Sequence, residues 1–320
     1  MKTELVTVFG GSGLVGRYVV RRLAREGYRI RVAVRRPHLA HFLRPMGMVG
    51  QIQIVAADLS DETLIQGALE GASAVVNLVG ILNQSGRQRF KSLHAEAPGM
   101  IARHANVHGA KRVIHISAIG ADPKAPSRYG RSKAEGEAAL KRDFTEATIL
   151  RPSIVFGPED HFFNRFANMA RYMPALPLIR GKTRFQPVWA EDVAEAVAQC
   201  LARPGTRART YELGGPAIYS FKDLLKIILA ETGRHRPLIP VPVPIAALQA
   251  LAFSVLPNPP LTLDQLAQLK RDNIVKAGRD AEEVGTIADL DIAPTALEGV
   301  LPTYLWRFRK TGQFETLETA

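Results

Sequence analysis

The sequence contains a single cysteine, Cys200, among its 320 residues. One cysteine excludes an internal disulfide and a multi-cysteine metal site. Aromatic residues make up 7% of the chain, and no long basic tract accompanies its formal net charge of +12. Because nucleic-acid-binding surfaces combine clustered basic residues with stacking aromatic rings, we expect no nucleic-acid partner. The positive charge predicts another anionic partner, such as a nucleotide, an acidic lipid or an acidic protein.

The chain also lacks a continuous hydrophobic run of membrane-spanning length. The segment from Leu238 to Leu256 carries no charge, but its prolines at 240, 242 and 244 leave about a dozen residues for a helix, against about 20 needed to cross a bilayer. Two interpretations stay open: a buried helix of a small domain, or a helix that lies against a membrane surface or a membrane-bound partner, where basic residues would add attraction.

Strand and helix patterns alternate through the first two thirds of the chain. This alternation predicts an α/β fold of Rossmann type, with a doubly wound parallel sheet. The predicted strands are 4–9, 29–34, 52–57, 74–79, 112–117 and 147–155, and the predicted helices are 14–26, 61–70, 90–107 and 131–142. Because the first strand begins so near Met1, we expect no signal or transit peptide.

The composition changes after Gly157, where aromatic residues and prolines become more frequent. We predict a Rossmann-type domain over 1–157, to which 188–215 returns through a helix at 190–201 and a strand at 210–214. A smaller, mostly helical C-terminal domain is predicted to comprise 158–187 and 216–310, with helices at 221–231, 245–255, 263–272 and 294–307. Residues 311–320 show no periodic pattern and are predicted to form a flexible tail.

The glycine-rich run at residues 6–16, VTVFGGSGLVG, is the most informative motif. A β-branched strand breaks into a turn, a helical stretch follows, and Gly11–Gly16 fits G-x-G-x-x-G. In that motif the glycines permit a tight turn, admit a pyrophosphate and let helix and strand approach. The phosphates would lie on the helix N-terminus. The predicted phosphate-binding residues are Gly10, Gly11, Ser12, Gly13, Leu14, Val15 and Gly16.

Two arginines, Arg35 and Arg36, follow the second predicted strand. An acidic residue here selects NAD by binding the ribose 2′-hydroxyl, whereas a guanidinium pairs with the 2′-phosphate of NADP. The sequence therefore favours NADPH (NADP+) as the cofactor. Asp58 and Leu59 end the third strand, where they are candidates for binding the adenine amino group; alternatively, Asp58 caps the helix that opens near Asp61.

Tyr129 and Lys133 have i, i+4 spacing and share one helix face. Beside a nicotinamide, an ammonium group lowers the pKa of a phenol and hydrogen-bonds the ribose, so that a tyrosine can act as acid or base. The two residues are therefore candidates both for catalysis and for cofactor binding. His104 and His108 have the same spacing, but the sequence offers no third ligand beside them, and we expect no metal site.

These motifs together resemble an extended or atypical short-chain dehydrogenase/reductase over about two thirds of the chain. The resemblance is carried by the glycine turn, Asp58-Leu59, Ser117, Tyr129 with Lys133, and Leu150-Arg151-Pro152-Ser153. It implies that Ser117, Tyr129 and Lys133 line the cofactor, and that Ser153 lies near the nicotinamide amide in a loop shaped by Pro152. Val79 and Gly80, at the end of the fourth predicted strand, are also expected to bind the cofactor.

Three further runs resemble, more narrowly, the nucleotide-binding accessory subunit of respiratory complex I. They are RPSIVFGPED at 151–160, FFNRFA at 162–167 and QPVWAEDV at 186–193. The resemblance implies tightly held NADPH, other complex I subunits of the peripheral arm as partners, and no turnover. It also implies a peripheral position near the quinone region, which we expect on the cytoplasmic side of a bacterial inner membrane.

One position departs from the dehydrogenase pattern. Active extended members usually carry a serine or threonine two residues beyond the position of Ser117, and this chain has Ile119. Ser117 and Ser127 are the alternatives for that hydroxyl, so no catalytic residue is assigned. Two other functions stay open: a soluble NADP-dependent reductase or epimerase that uses Tyr129 and Lys133, and an NADPH-sensing regulatory protein.

Overall fold

A computed structural model describes residues 2–86, 88–253, 259–276, 284–310 and 312. The end of the uncharged segment, 254–256, and the predicted tail, apart from Gly312, lie outside the described residues. The chain forms two compact units. The first comprises Met1–Pro152, Ala190–Leu213 and Lys276–Ala293, and the second comprises Ser153–Trp189, Gly214–Val275 and Pro294–Ala320.

The first unit is built on a parallel sheet of eight strands within the described residues. Six of them are β1 (Leu5–Phe9), β2 (Arg29–Val34), β3 (Ile52–Ala56), β4 (Ala74–Asn77), β5 (Arg112–Ile116) and β6 (Thr148–Pro152). They run in the order β6-β5-β4-β1-β2-β3, and Thr210–Leu213 and Val284–Thr286 extend the sheet beyond β6. The strand order reverses between β1 and β4, which confirms the predicted doubly wound Rossmann-type sheet.

The α-helices of the described residues follow these strands and continue into the second unit. In chain order they are α1 (Leu14–Arg25), α2 (Glu62–Leu69), α3 (Ala97–Val107), α4 (Arg128–Asp143), α5 (Phe163–Tyr172), α6 (Ala190–Ala202), α7 (Phe221–Glu231), α8 (Val243–Ala252), α9 (Leu263–Gln268), α10 (Leu297–Val300) and α11 (Pro302–Leu305). A 3-10 helix covers Pro37–Met46, and a π-helical turn at Lys91–Glu96 precedes α3.

The sheet of the first unit is buried on both faces. All four residues of β4 and all five of β5 are buried, as expected for central strands with helices above and below. One apolar cluster joins Phe9 and Val113 of the sheet to Ile65 of α2, Ile101 of α3 and Leu140 of α4. The cluster places α2, α3 and α4 on the sheet and positions the turns that follow each strand.

The second unit has a core of its own, centred on aromatic residues. Its short strand pairs are Val155–Phe156 with Val188–Trp189, Arg184–Phe185 with Tyr219–Ser220, and Leu176–Leu178 with Leu238–Pro240. The buried Asp160 accepts hydrogen bonds from the backbone N–H of Phe163 at 2.6 Å and from the Tyr304 hydroxyl at 2.6 Å. Helix α5, which the sequence pattern did not predict, thus begins at a carboxylate cap.

Two predicted helices of this unit differ from the structure for identifiable reasons. The single helix predicted at 294–307 is divided into α10, α11 and a 3-10 turn, because Pro302 has no N–H to continue the hydrogen-bond ladder. The helix predicted from 245 begins at Val243, since Pro244 occupies the first turn, where proline is tolerated. Among the described residues, none of the helices combines the length and the apolar character that crossing a membrane requires.

Candidate functional site

The turn after β1 has the backbone geometry that only glycine allows. Gly10 has φ +77°, in the left-handed region. A Cβ at Gly11 would lie 2.8 Å from Cγ1 of Val32, and one at Gly16 would overlap the carbonyl oxygen of Gly10. The three glycines therefore let the turn fold tightly and let α1 pack against it, as the motif predicts.

The N-terminus of α1 offers backbone donors to an anion. Gly13 is the N-cap and provides no side-chain hydrogen bond, and the first turn contains no acidic residue. Ser12 lies half-buried in the turn, and Leu14 and Val15 form the first turn of the helix. The free N–H groups and the positive end of the helix dipole favour a phosphate here. The cradle thus fits the pyrophosphate of a dinucleotide.

Basic side chains lie beside the end of β2. Arg35 and Arg36 directly follow the strand and are exposed. With the side-chain amide of Gln88 turned so that its oxygen faces a donor, the guanidinium of Arg35 donates to it at 2.6 and 3.2 Å. Arg17, which the sequence interpretation did not include, lies with its guanidinium carbon 4.9 Å from the ring centroid of Phe42. Its placement depends on a contact between distant residues, which no local motif signals.

Asp58 and Leu59 form the turn after β3. The carboxylate of Asp58 accepts from the backbone N–H of Ser60 at 3.0 Å and from its hydroxyl at 2.8 Å. Asp61 is the N-cap of α2 and accepts from the N–H groups of Thr63 and Leu64. The alternative that Asp58 caps this helix is therefore wrong. Leu59 is buried, and the adenine-binding role of the two residues stays a prediction.

The loop after β4 joins the glycine turn to Lys133. A Cβ at Gly10 would lie 3.2 Å from Cγ2 of Val79, and one at Gly80 would lie 3.4 Å from Nζ of Lys133. Parallel strands present their carboxyl ends at one edge of a sheet, and ligands bind there at the reversal point between β1 and β4. The structure therefore brings Gly10, Val79, Gly80 and Lys133 together.

Tyr129 and Lys133 lie in the first turns of α4. The hydroxyl oxygen of Ser127 caps the helix by accepting from the N–H of Gly130 at 3.1 Å. Tyr129 is half-buried, whereas Lys133 is buried and donates from Nζ to the carbonyl of Ile116 at 3.1 Å. Burial lowers the pKa of Lys133 to about 8, and the nearby carboxylate of Glu137 opposes that shift.

The buried Glu137 and the half-buried Arg151 form a pair that the sequence interpretation missed. The guanidinium donates to both carboxylate oxygens, at 2.9 and 2.5 Å, in the bidentate geometry that makes such pairs strong. Arg151 appeared in the sequence only as part of a family motif, since nothing local indicates its partner. The carboxylate of Glu137, whose charge is compensated by Arg151, lies one helical turn from Lys133.

The position at which active extended members carry the substrate-polarising hydroxyl holds an apolar side chain in this chain. Ile119 is buried, and its N–H donates to the carbonyl of Pro152 at 3.0 Å. Ser127 is used as the helix cap. The buried hydroxyl oxygen of Ser117 has no hydrogen-bond partner within the described residues. Of the two alternative serines, Ser117 is therefore the one whose hydroxyl is not already used by the protein.

The roles predicted for Pro152 and Ser153 beside the cofactor stay predictions. Pro152 ends β6, and Ser153, the first residue of the second unit, has its hydroxyl 2.7 Å from Oδ1 of Asn273. His104 pairs with Glu62 at 2.8 Å. No group of three potential metal ligands occurs among the described residues.

A Rossmann-type sheet with this glycine turn defines a class of nucleotide-binding proteins. Residues 6–214 match the NAD dependent epimerase/dehydratase family, and the chain belongs to that family. The crystal structure of DesIV, a dTDP-glucose 4,6-dehydratase from Streptomyces venezuelae with NAD and TYD bound, superimposes with a TM-score of 0.72 at 19% identity, covering 95% of this chain and 96% of that one.

The sequence is similar, over nearly its whole length, to a particular respiratory subunit. The mitochondrial NADH dehydrogenase (ubiquinone) 1 alpha subcomplex subunit 9 of Arabidopsis thaliana is 33% identical over 321 residues, which cover 96% of this chain and 79% of the relative. The same subunit of Mus musculus is 33% identical over 301 residues, covering 92% and 78%. Within the epimerase/dehydratase family, the chain therefore belongs with this accessory subunit of complex I.

Proposed function

We propose that this protein is an NADPH-holding accessory subunit of a bacterial complex I, with a structural or assembly role rather than a catalytic one. The observation that carries the proposal is the 33% identity over 96% of the chain to a complex I subunit. Its partners are then other complex I subunits of the peripheral arm. A nucleotide that binds only the folded state stabilises it by mass action, so the bound cofactor acts as a clamp on the fold.

The choice of NADPH over NADH rests on charge. Arg35 and Arg36 are exposed where an NAD-selective protein carries an acidic residue. A guanidinium forms charge-assisted hydrogen bonds with a phosphate, which an acidic residue would repel. The pyrophosphate would lie on the N-terminus of α1, where no carboxylate competes in the first turn.

The absence of turnover is supported by the apolar side chain at Ile119. The hydroxyl usual at that position holds the substrate oxygen during proton transfer, and a buried isoleucine cannot replace it. Tyr129 and Lys133 are then cofactor ligands, with the ammonium group of Lys133 held at the loop of Gly80. Holding the cofactor needs contacts of this kind but no substrate-polarising hydroxyl.

A peripheral position on the cytoplasmic side of the membrane is supported by the surface of the uncharged segment. Helix α8 buries Ala246 and Ala250, while Ile245, Leu248 and Leu251 are 52%, 69% and 59% exposed. Exposed apolar side chains at this spacing form one helix face, which suits a lipid surface or a membrane-bound subunit. We propose that this face contacts the membrane region of the complex.

Two measurements on one preparation test the proposal. The protein, tagged at its native level, is expected to co-purify with detergent-solubilised complex I and to release about one NADPH per chain on denaturation. Purification without any complex I subunit would refute the accessory-subunit assignment. Release of NADH instead of NADPH would refute only the cofactor assignment.

A soluble NADP-dependent reductase remains the second candidate, because Tyr129 and Lys133 share a helix face and Lys133 is buried beside the Gly80 loop. The reductase hypothesis expects Tyr129→Phe to abolish an NADPH-consuming activity while nucleotide stays bound. Under the accessory-subunit proposal, the same variant still assembles into complex I and loses no NADPH-consuming activity, while the loss of one cofactor contact at most weakens NADPH binding.

A further inference from the structure

A buried histidine lies beside the Tyr129–Lys133 helix. His94 is 1% exposed and belongs to the π-helical turn Lys91–Glu96; such turns are rare and often mark functional sites. Gly136 of α4 makes its position possible, because a Cβ at 136 would overlap the carbonyl oxygen of His94. The backbone of His94 therefore packs directly on the helix that carries Tyr129 and Lys133.

The ring of His94 bridges two walls of the candidate site. Its Nε2 accepts from the backbone N–H of Ile81 at 2.9 Å, so Nε2 carries no proton. Nδ1 then carries the proton and donates to the hydroxyl of Ser132 at 3.2 Å, and that hydroxyl donates to the carbonyl of Tyr129 at 2.8 Å. One neutral ring thus links the loop after Gly80 to the turn of Tyr129.

The surroundings keep this ring neutral. Burial, together with the charges of Lys133 and His115, lowers the pKa of His94 to about 2. The ring stacks on Phe90, with centroids 5.2 Å apart, and meets Tyr129 edge-on at 5.4 Å. A Cβ at Gly80 would lie 3.9 Å from Nε2 of His94 and 3.4 Å from Nζ of Lys133, so both side chains approach the same loop residue.

From this juxtaposition we infer that His94 is a positioning residue: it holds the 80–81 loop against α4 and thereby slows the release of NADPH. The inference rests on the proposed binding of NADPH. No motif of the sequence indicated His94, and its expected effect is on the rate at which NADPH dissociates. His94 reaches the backbone of Ile81 and the hydroxyl of Ser132, so it acts through the loop and the helix, and through Tyr129 in turn.

The test compares NADPH release from the purified full-length protein and three variants, followed by NADPH fluorescence after dilution into excess NADP+. His94→Leu removes both hydrogen bonds and is expected to release NADPH about tenfold faster, because the 80–81 loop is then no longer tied to α4. Ser132→Ala removes the acceptor of His94 Nδ1 and the donor to Tyr129 but leaves the bond from Ile81 to Nε2, so it should have a smaller effect. His94→Gln, whose amide both accepts and donates, should restore most of the slow release.

Release from His94→Leu at the wild-type rate would overturn the inference, as would equally fast release from His94→Gln and His94→Leu. Where His94→Leu does not fold, Ser132→Ala decides: faster release supports the inference and an unchanged rate overturns it. A merely structural role would lower the free energy of unfolding of the nucleotide-free variants without changing the release rate. Wild-type protein that retains no NADPH would instead refute the proposed function.

Discussion

The glycine turn at 10–16 and the helix face of Tyr129 and Lys133 are built in opposite ways. The turn depends on backbone shape: positive φ at Gly10, missing side chains at Gly11 and Gly16, and the N–H groups of α1. The helix face depends on buried polar side chains, with an ammonium group whose pKa is lowered and an ion pair between Glu137 and Arg151.

The difference bears on binding and turnover separately. Backbone donors at a helix N-terminus bind any phosphate of suitable shape, independent of the chemistry beyond it. Proton transfer, in contrast, requires each polar side chain of the other region to be present and placed. Under the accessory-subunit proposal, Ile119 stands in the place of one of them, so the turn is equipped to bind while the helix face lacks part of what turnover needs.

Breaking the glycine turn should have the largest effect. In Gly16→Val the new Cβ would overlap backbone atoms of Gly10 and Gly11, which cannot move without opening the turn. We expect a loss of about 3 kcal/mol in the free energy of unfolding and no bound NADPH, measured by urea unfolding and by nucleotide release on denaturation. Gly67→Ala in α2 is the control, since no atom lies within 4 Å of its Cβ. Retained NADPH in Gly16→Val would contradict the backbone account.

Lys133 should make the free energy of unfolding depend on pH, a contribution that the glycine turn does not make. Its pKa is about 8 in the folded protein against an ordinary 10.5, so between these values the unfolded chain holds a proton that the folded chain has released. Stability of the nucleotide-free protein should therefore rise with pH across this window by about 3 kcal/mol from this group. Lys133→Met should lack that rise in urea unfolding at pH 7 and pH 10. Equal pH dependence in both proteins would show that the ammonium group is not desolvated.

Reversing charge beside the turn should change cofactor preference without opening the turn. Arg35→Glu combined with Arg36→Glu should weaken NADPH binding about a hundredfold, equivalent to about 2.7 kcal/mol, and leave NADH binding nearly unchanged. Titration calorimetry with both nucleotides measures the change. Arg25→Glu combined with Arg29→Glu alters the net charge equally at two exposed positions, the end of α1 and the first residue of β2, and it should preserve the preference. An unaltered preference for NADPH in the first variant would eliminate the assignment of these arginines.

The smallest effect is expected at the start of α4. Ser127→Ala removes the acceptor for the N–H of Gly130 and should cost about 1 kcal/mol of unfolding free energy. Ser127→Thr keeps the cap and should lie close to wild type in thermal unfolding. If Ser127 instead supplied the hydroxyl missing at Ile119, the alanine variant would lose an NADPH-consuming activity far more than it loses stability.

Much of the Rossmann-type unit could be predicted because its signals are local. Each strand, turn and helix is encoded within about 30 consecutive residues, and the strand at 29–34 was predicted with the bounds of β2. The strand Val284–Thr286 could not be predicted, because three residues show no period and their partner, Thr210–Leu213, is distant in the chain. Pro302 indicates the division of α10 from α11, which the single helix predicted at 294–307 does not contain.

The sequence by itself determined the glycine turn, the class of the sheet and the positive charge after β2, since those depend on residue type and short spacing. Only the tertiary structure decided that Ser127 is a cap, that Arg151 pairs with Glu137, and that His94 joins the 80–81 loop to α4. Each of these is a contact between two groups, and the residue type of either group is compatible with several roles. Burial and distance select one role, because an unpaired polar group in the interior costs more free energy than an exposed one.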